Sequence, residues 1–225
     1  MGHVRLGKLP RTKKWQQVVD LVAKGGDLGQ VAAASAEAVE SGLRAASRDP
    51  TFVHAFWLLI QLPLAARKQD FAAELRALGL DMKSKPTLLE LVGAFSKAID
   101  KRIEGSGGRS DLGEIAQLSA AETLTSLVGR ELPGLFGPNP DDVQNVVSRL
   151  ASSDHFSFIA LDFFSRLTRR YLAYYLSREL SNHVGPQQRF QSIGDHSDFN
   201  AALDLHCREA DPGLRRRRHR MAPGR

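Results

Sequence analysis

The stretch TFVHAFWLLIQLPLAA, residues 51–66, decides the fold of this chain because it is apolar on every side of a helix. It follows the pair Asp49-Pro50, which marks a turn and the beginning of a new helix. Helices that are hydrophobic all round lie at the centre of a bundle. The stretch therefore predicts a central helix that buries Trp57, and we expect Pro63 to bend or end it.

Helix signals dominate the rest of the chain, and strand signals are almost absent. Thr12 and either Ser110 or Asp111 are suited to cap helices, and Gly25-Gly26 is suited to end one. The longest pattern has apolar residues, including Phe164, at spacings of three and four between about residues 153 and 183. We expect an all-α fold, an irregular or orthogonal bundle of about seven to nine helices with a long, central C-terminal helix that buries Phe164.

The predicted organisation follows from changes in composition along the chain. Residues 105–110 read GSGGRS, and such a density of glycine and serine is typical of a flexible linker. We expect a basic arm over residues 1–11, a helical half over 12–104, the linker over 105–110, a second helical half over 111–210, and a basic, disordered tail over 211–225.

The net charge of +6 is concentrated at the two ends of the chain. Residues 1–14 and residues 208–225 each carry +5, which leaves the sequence between them at −4. Blocks of like charge order poorly and often act as interaction tails. The composition of the tail fits either a native basic tail or the out-of-frame translation of a GC-rich gene.

Two basic clusters supply the candidate interaction residues. The first flanks the start of the first helix, where positive charge opposes the helix dipole. The second is interleaved with tyrosines on the long helix, a composition typical of nucleic-acid contacts and of protein hot spots. The alternative is a helix with its aromatic rings in the core and its arginines at the solvent edge. The candidates are Arg5, Lys8, Arg11, Lys13, Lys14, Arg166, Arg169, Arg170 and Arg178.

The sequence contains none of the standard catalytic motifs that we sought. No two of the seven histidines are three or four residues apart, and HExxH, CxxC, GxxxxGK[ST] and GxSxG are all absent. His196, His206 and Cys207 are close in sequence and are the alternative candidates for a catalytic or zinc site. We predict no catalytic residue, no cofactor and no metal.

The sequence predicts a cytoplasmic protein. No apolar segment of a secretory signal follows the basic start. The longest uncharged stretch, residues 50–66, is shorter than the ~20 residues that cross a bilayer.

Three functions are consistent with these patterns. The first is a non-enzymatic interaction protein, a helical accessory subunit of a bacterial cytoplasmic complex that binds another protein. The second is a nucleic-acid-binding accessory protein whose basic termini clamp phosphates. The third is a helical metal-dependent hydrolase, which depends only on the scattered histidines.

Overall fold

The computed structural model describes residues 12–82, 84–105, 110–132 and 139–209. Within these ranges the regular elements are helices, which confirms the all-α fold, and one isolated bridge pairs Val184 with Phe190. The helices are α1 (Lys13–Ala23), α2 (Leu28–Ala46), α3 (Pro50–Ala66), α4 (Phe71–Ala77), α5 (Leu88–Gly105), α6 (Asp111–Gly129), α7 (Pro140–Arg149), α8 (Ser153–Ser181) and α9 (Ile193–Glu209).

Local chemistry sets where these helices begin. The Thr12 and Ser110 side chains accept backbone N–H groups at the starts of α1 and α6, as predicted. Asn139 and Asp142 form a reciprocal capping box at the start of α7. Pro63 does not end α3, which continues to Ala66.

By its tertiary contacts, the chain divides into two compact units. The terminal unit contains Met1–Ala45 and Leu167–Arg225, and the middle unit contains Ala46–Arg166. The predicted linker at residues 105–110 lies within the middle unit, and its residues 106–109 are outside the described ranges. The predicted division into halves at 12–104 and 111–210 stays a prediction.

Helix α3 organises the middle unit, since α4, α5, α6 and α7 all pack against it. Its buried face includes Leu58 and Leu62, which are fully enclosed. Phe52 and Phe56 on α3 meet Phe163 of α8, with ring centroids 6.0 and 5.1 Å apart. The core of this unit is therefore built around one side of α3.

The starts of α3 and α6 are joined by a shared pair of caps. The Asp49 carboxylate accepts the N–H groups of Thr51 and Phe52 at 2.9 Å, and it also accepts the Ser110 hydroxyl. The Ser110 oxygen in turn accepts the N–H of Gly113 at 2.9 Å. One carboxylate and one hydroxyl thus satisfy backbone donors of two helices that meet at this point.

The close approach of these two helices requires glycine at position 113. A Cβ atom there would lie 2.7 Å from Thr51 Cβ and 2.8 Å from Ser110 Oγ, both closer than van der Waals contact allows. We expect Gly113→Ala to lower the free energy of unfolding by about 1–3 kcal/mol because the helices must separate. Urea unfolding monitored by circular dichroism measures this change.

Gly93→Ala on α5 is the matched control, because a Cβ at that position meets no atom within 4 Å. It should raise the free energy of unfolding by roughly 0.5–1 kcal/mol through helix propensity alone. Similar gains in both variants would contradict the close approach of α3 and α6.

The core of the terminal unit forms around Trp15, which is 1% exposed. Its ring packs against Tyr171 and Tyr175 of α8, with centroids 6.2 and 5.8 Å away. Val18 and Val22 follow Trp15 at spacings of three and four and are also buried. This spacing turns α1 into an amphipathic helix despite the basic residues around its start.

Arg189 holds the end of α1 against the loop before α9. Its guanidinium donates to the carbonyl oxygens of Val22 at 3.1 Å and Gly26 at 2.7 Å. It also lies over the Phe199 ring at 4.9 Å from the centroid. These contacts give carbonyl groups at and just beyond the end of α1 a charged side-chain donor.

Candidate interaction surface

The outward face of α3 is as apolar as its buried face. Val53, Trp57, Ile60 and Leu64 are separated by four, three and four residues, so they lie within about 60° of arc on the helix. Val53 is 46% exposed, Trp57 44% and Leu64 45%, and Ile60 is half-buried. We call these four residues the α3 stripe.

The exposure of Trp57 corrects the prediction that it is buried, and Phe164, predicted to be buried as well, is only half-buried. An all-apolar helix has no polar side to show which of its faces turns inward. In this structure the face that includes Leu58 and Leu62 is buried, and the opposite face carries Trp57.

One end of the α3 stripe opens into a groove, which we call the α3 groove. It contains about 170 Å³ of space. Its lining is apolar except for Ser152, and it combines part of α3 with the α7–α8 connection and the start of α8. The lining residues are Ile60, Pro63, Leu64, Leu150, Ala151, Ser152, Phe156 and Ile159. A solvent-facing concavity with such a lining can receive an apolar side chain.

His54 lies beside the α3 stripe and stacks on Trp57, with ring centroids 5.6 Å apart. Partial burial lowers the pKa of the His54 imidazole, and the charge of Arg102 lowers it further. The ring is therefore held in its neutral form, which suits an apolar surface.

This pKa shift predicts a pH dependence of stability. Because the pKa of His54 is lower in the folded chain, the unfolded chain takes up the proton first as the pH falls through about 6.5. The free energy of unfolding should decrease between pH 7 and pH 5, and His54→Gln should flatten that decrease. Urea unfolding at a series of pH values measures both slopes, and an unchanged slope in the variant would contradict the assignment.

Arg166, a predicted interaction residue, is paired inside the middle unit. Its Nε donates to Asp162 Oδ2 at 2.6 Å, and its Nη1 donates to a Glu122 carboxylate oxygen. Its side chain is only 13% exposed. These contacts give Arg166 a structural role that joins α8 to α6.

Removal of Arg166 should destabilise the chain far more than removal of an exposed arginine in a similar pair. Arg166→Ala removes the cation that pairs with two partly buried carboxylates, those of Asp162 and Glu122, and we expect a loss of roughly 2–4 kcal/mol in the free energy of unfolding. Arg44 forms an exposed pair with Glu40 at 2.8 Å, and Arg44→Ala should change stability by less than about 0.5 kcal/mol. Urea unfolding compares the two variants, and equal losses would contradict this role of Arg166.

The structure places the other predicted interaction residues in different environments. Lys13 is exposed, and Lys14 donates to the Glu37 carbonyl at 3.3 Å. Arg169 and Arg170 are half-buried on α8. The side chain of Arg178 and the residues Arg5, Lys8 and Arg11 lie outside what the structure describes. Their role in binding stays a prediction.

The alternative catalytic or metal-binding cluster stays a prediction, because only one of its three side chains is among the described residues. The side chains of His206 and Cys207 are outside them, and His196 packs its ring against Phe190 at 5.5 Å. In the described part of the chain, no group of three or more histidine, cysteine or acidic residues is placed to hold a metal ion.

None of the helices within the described ranges has both the length and the apolar character needed to cross a bilayer.

Comparison of the chain with family models, curated proteins and solved structures finds no match.

Proposed function

We propose that this chain is a non-enzymatic interaction protein, an accessory subunit of a cytoplasmic complex, and that it docks its partner on the α3 stripe. The alignment of Val53, Trp57 and Leu64 on one exposed helix face carries the proposal. Single exposed apolar residues are ordinary on protein surfaces, whereas an aligned set beside a groove marks an interaction site. Tryptophan is also among the residues that contribute most to binding at interfaces.

We also propose the finer architecture expected from the sequence, an irregular or orthogonal bundle with a long central helix. Support comes from the 29 residues of α8, which make it the longest helix in the described part of the chain.

Photo-crosslinking from position 57 tests the docking proposal. A crosslinking amino acid replaces Trp57 in the full chain. This variant is expressed in the organism that naturally makes the protein. We expect covalent adducts with another protein, and we expect Leu64→Glu in the same chain to abolish them. The matched control is the same crosslinker at position 89, where Leu89 is 83% exposed on α5. Equal adducts from both positions, or none from position 57, would overturn the proposal.

Binding to nucleic acid through the basic termini is the competing function, and a salt titration separates the two. Clamping of phosphates predicts DNA or RNA binding that weakens steeply with salt, because each neutralised phosphate releases counterions. It also predicts loss of that binding when residues 1–11 and 212–225 are deleted. The docking function predicts weak nucleic-acid binding at physiological salt and crosslinking that survives the deletion. A stoichiometric metal in the purified protein would instead support the hydrolase.

A further inference from the structure

We infer that the partner segment docked on the α3 stripe is an amphipathic helix with one large apolar anchor and acidic residues beside its apolar face. This inference rests on the docking function proposed above and specifies the chemistry of the partner.

The spacing of the α3 stripe fits a helix. Spacings of four, three and four residues are those of the apolar positions along the seam of a coiled coil. From Val53 to Leu64 the stripe extends for roughly 17 Å, about three turns of an α-helix. A partner helix with apolar residues at the same spacing would contact the whole stripe, which is a recurring mode of peptide recognition.

The size of the α3 groove defines the anchor. Its space of about 170 Å³ is close to the ~150 Å³ of an apolar cavity that binds benzene. The space therefore suits one phenylalanine or leucine side chain, bordered by Ile60, Leu64 and Phe156. Anchors that fill a pocket in this way dominate the energetics of interfaces.

The charges at the two ends of α3 select an acidic partner. The helix itself, Pro50–Ala66, has no charged side chain, and exposed Arg48, Arg67 and Lys68 flank it. Asp49 and Asp70, which are close to these cations in sequence, are both held as helix caps by backbone N–H groups. Acidic residues on the partner would complement the exposed cations at both ends of the stripe.

The same charges argue against a second copy of this chain as the occupant. A two-fold interface brings the same patch of two subunits together. If two α3 helices paired in parallel, Arg48 would face Arg48, and Arg67 and Lys68 would face the same residues. If they paired antiparallel, Arg48 would face Arg67 and Lys68. Like charges that face one another oppose such pairing.

A display library of helical peptides tests the inference with the full chain as bait. The peptides carry four randomised apolar positions at the spacing of the α3 stripe and randomised flanking positions. Selection on the natural chain is combined with counter-selection on Leu64→Glu, a change at an exposed position. We expect enrichment of phenylalanine or leucine at one apolar position and of glutamate and aspartate at the flanks.

Fluorescence anisotropy then measures the Kd of the best peptide. Replacement of its anchor by alanine should weaken binding about 30-fold, the effect of an interface hot spot. Exchange of its acids for lysine should weaken binding by about tenfold at low salt, and this difference should shrink as salt rises. Leu64→Glu in the chain should remove binding, whereas Leu89→Glu, at the 83% exposed control position on α5, should not.

Four results would overturn the inference. In the selection, these are enrichment of basic flanks and the absence of any peptide sensitive to Leu64→Glu. In the anisotropy measurement, it is equal binding of the acidic and basic peptides. In analytical ultracentrifugation, it is a dimer of the chain that Leu64→Glu dissociates. Circular dichroism and thermal unfolding verify that Leu64→Glu is folded. If crosslinks from position 57 persist while the peptides fail, the docking function stands and only the partner's chemistry is wrong. If both fail, the proposed function fails as well.

Discussion

The hydrogen bond from the Ser110 hydroxyl to the Asp49 carboxylate is the constraint on which the rest of the middle unit depends. Asp49 caps α3 and Ser110 caps α6, so this bond ties the starts of two helices to one point. The carboxylate also lies at the positive end of both helix dipoles, where negative charge is stabilising. Gly113 then lets α6 approach Thr51 closely. Together these contacts fix which face of α3 is covered by α6, and they leave the opposite face outward.

Helix α3 has two apolar faces, one buried in the core and one exposed, which we propose as the docking face. Leu58 and Leu62 are fully buried and stabilise the unit, whereas Trp57 and Leu64 remain exposed and contribute little to its core. The burial energy of an apolar side chain scales with the area removed from water. Substitutions on the buried face should therefore affect stability, whereas under the proposed docking function substitutions on the α3 stripe should affect mainly partner binding.

Sequence reasoning located the helices well because their ends depend on local chemistry, as at Thr12 and Ser110. It failed where burial depends on tertiary contacts. Trp57 was expected in the core, but the fully buried tryptophan is Trp15, which two lysines precede. The spacing of Trp15, Val18 and Val22 was the available signal for its burial. For the candidate site, binding was predicted from the basic residues, which are concentrated at the chain ends. The sequence signal for the proposed docking face was the all-apolar character of α3.

An exposed apolar stripe carries a hazard, because it can pair with its own copies as readily as with a partner. The cations that flank α3 oppose that pairing, since Arg48, Arg67 and Lys68 would meet the same charges in a second chain. The same cations attract an acidic helix. Specificity can come from a favourable contact with the right partner and from an unfavourable one with the wrong partner. In the proposed docking function, the apolar residues of the α3 stripe would supply affinity without distinguishing these partners, so the choice would depend on the charges at its ends.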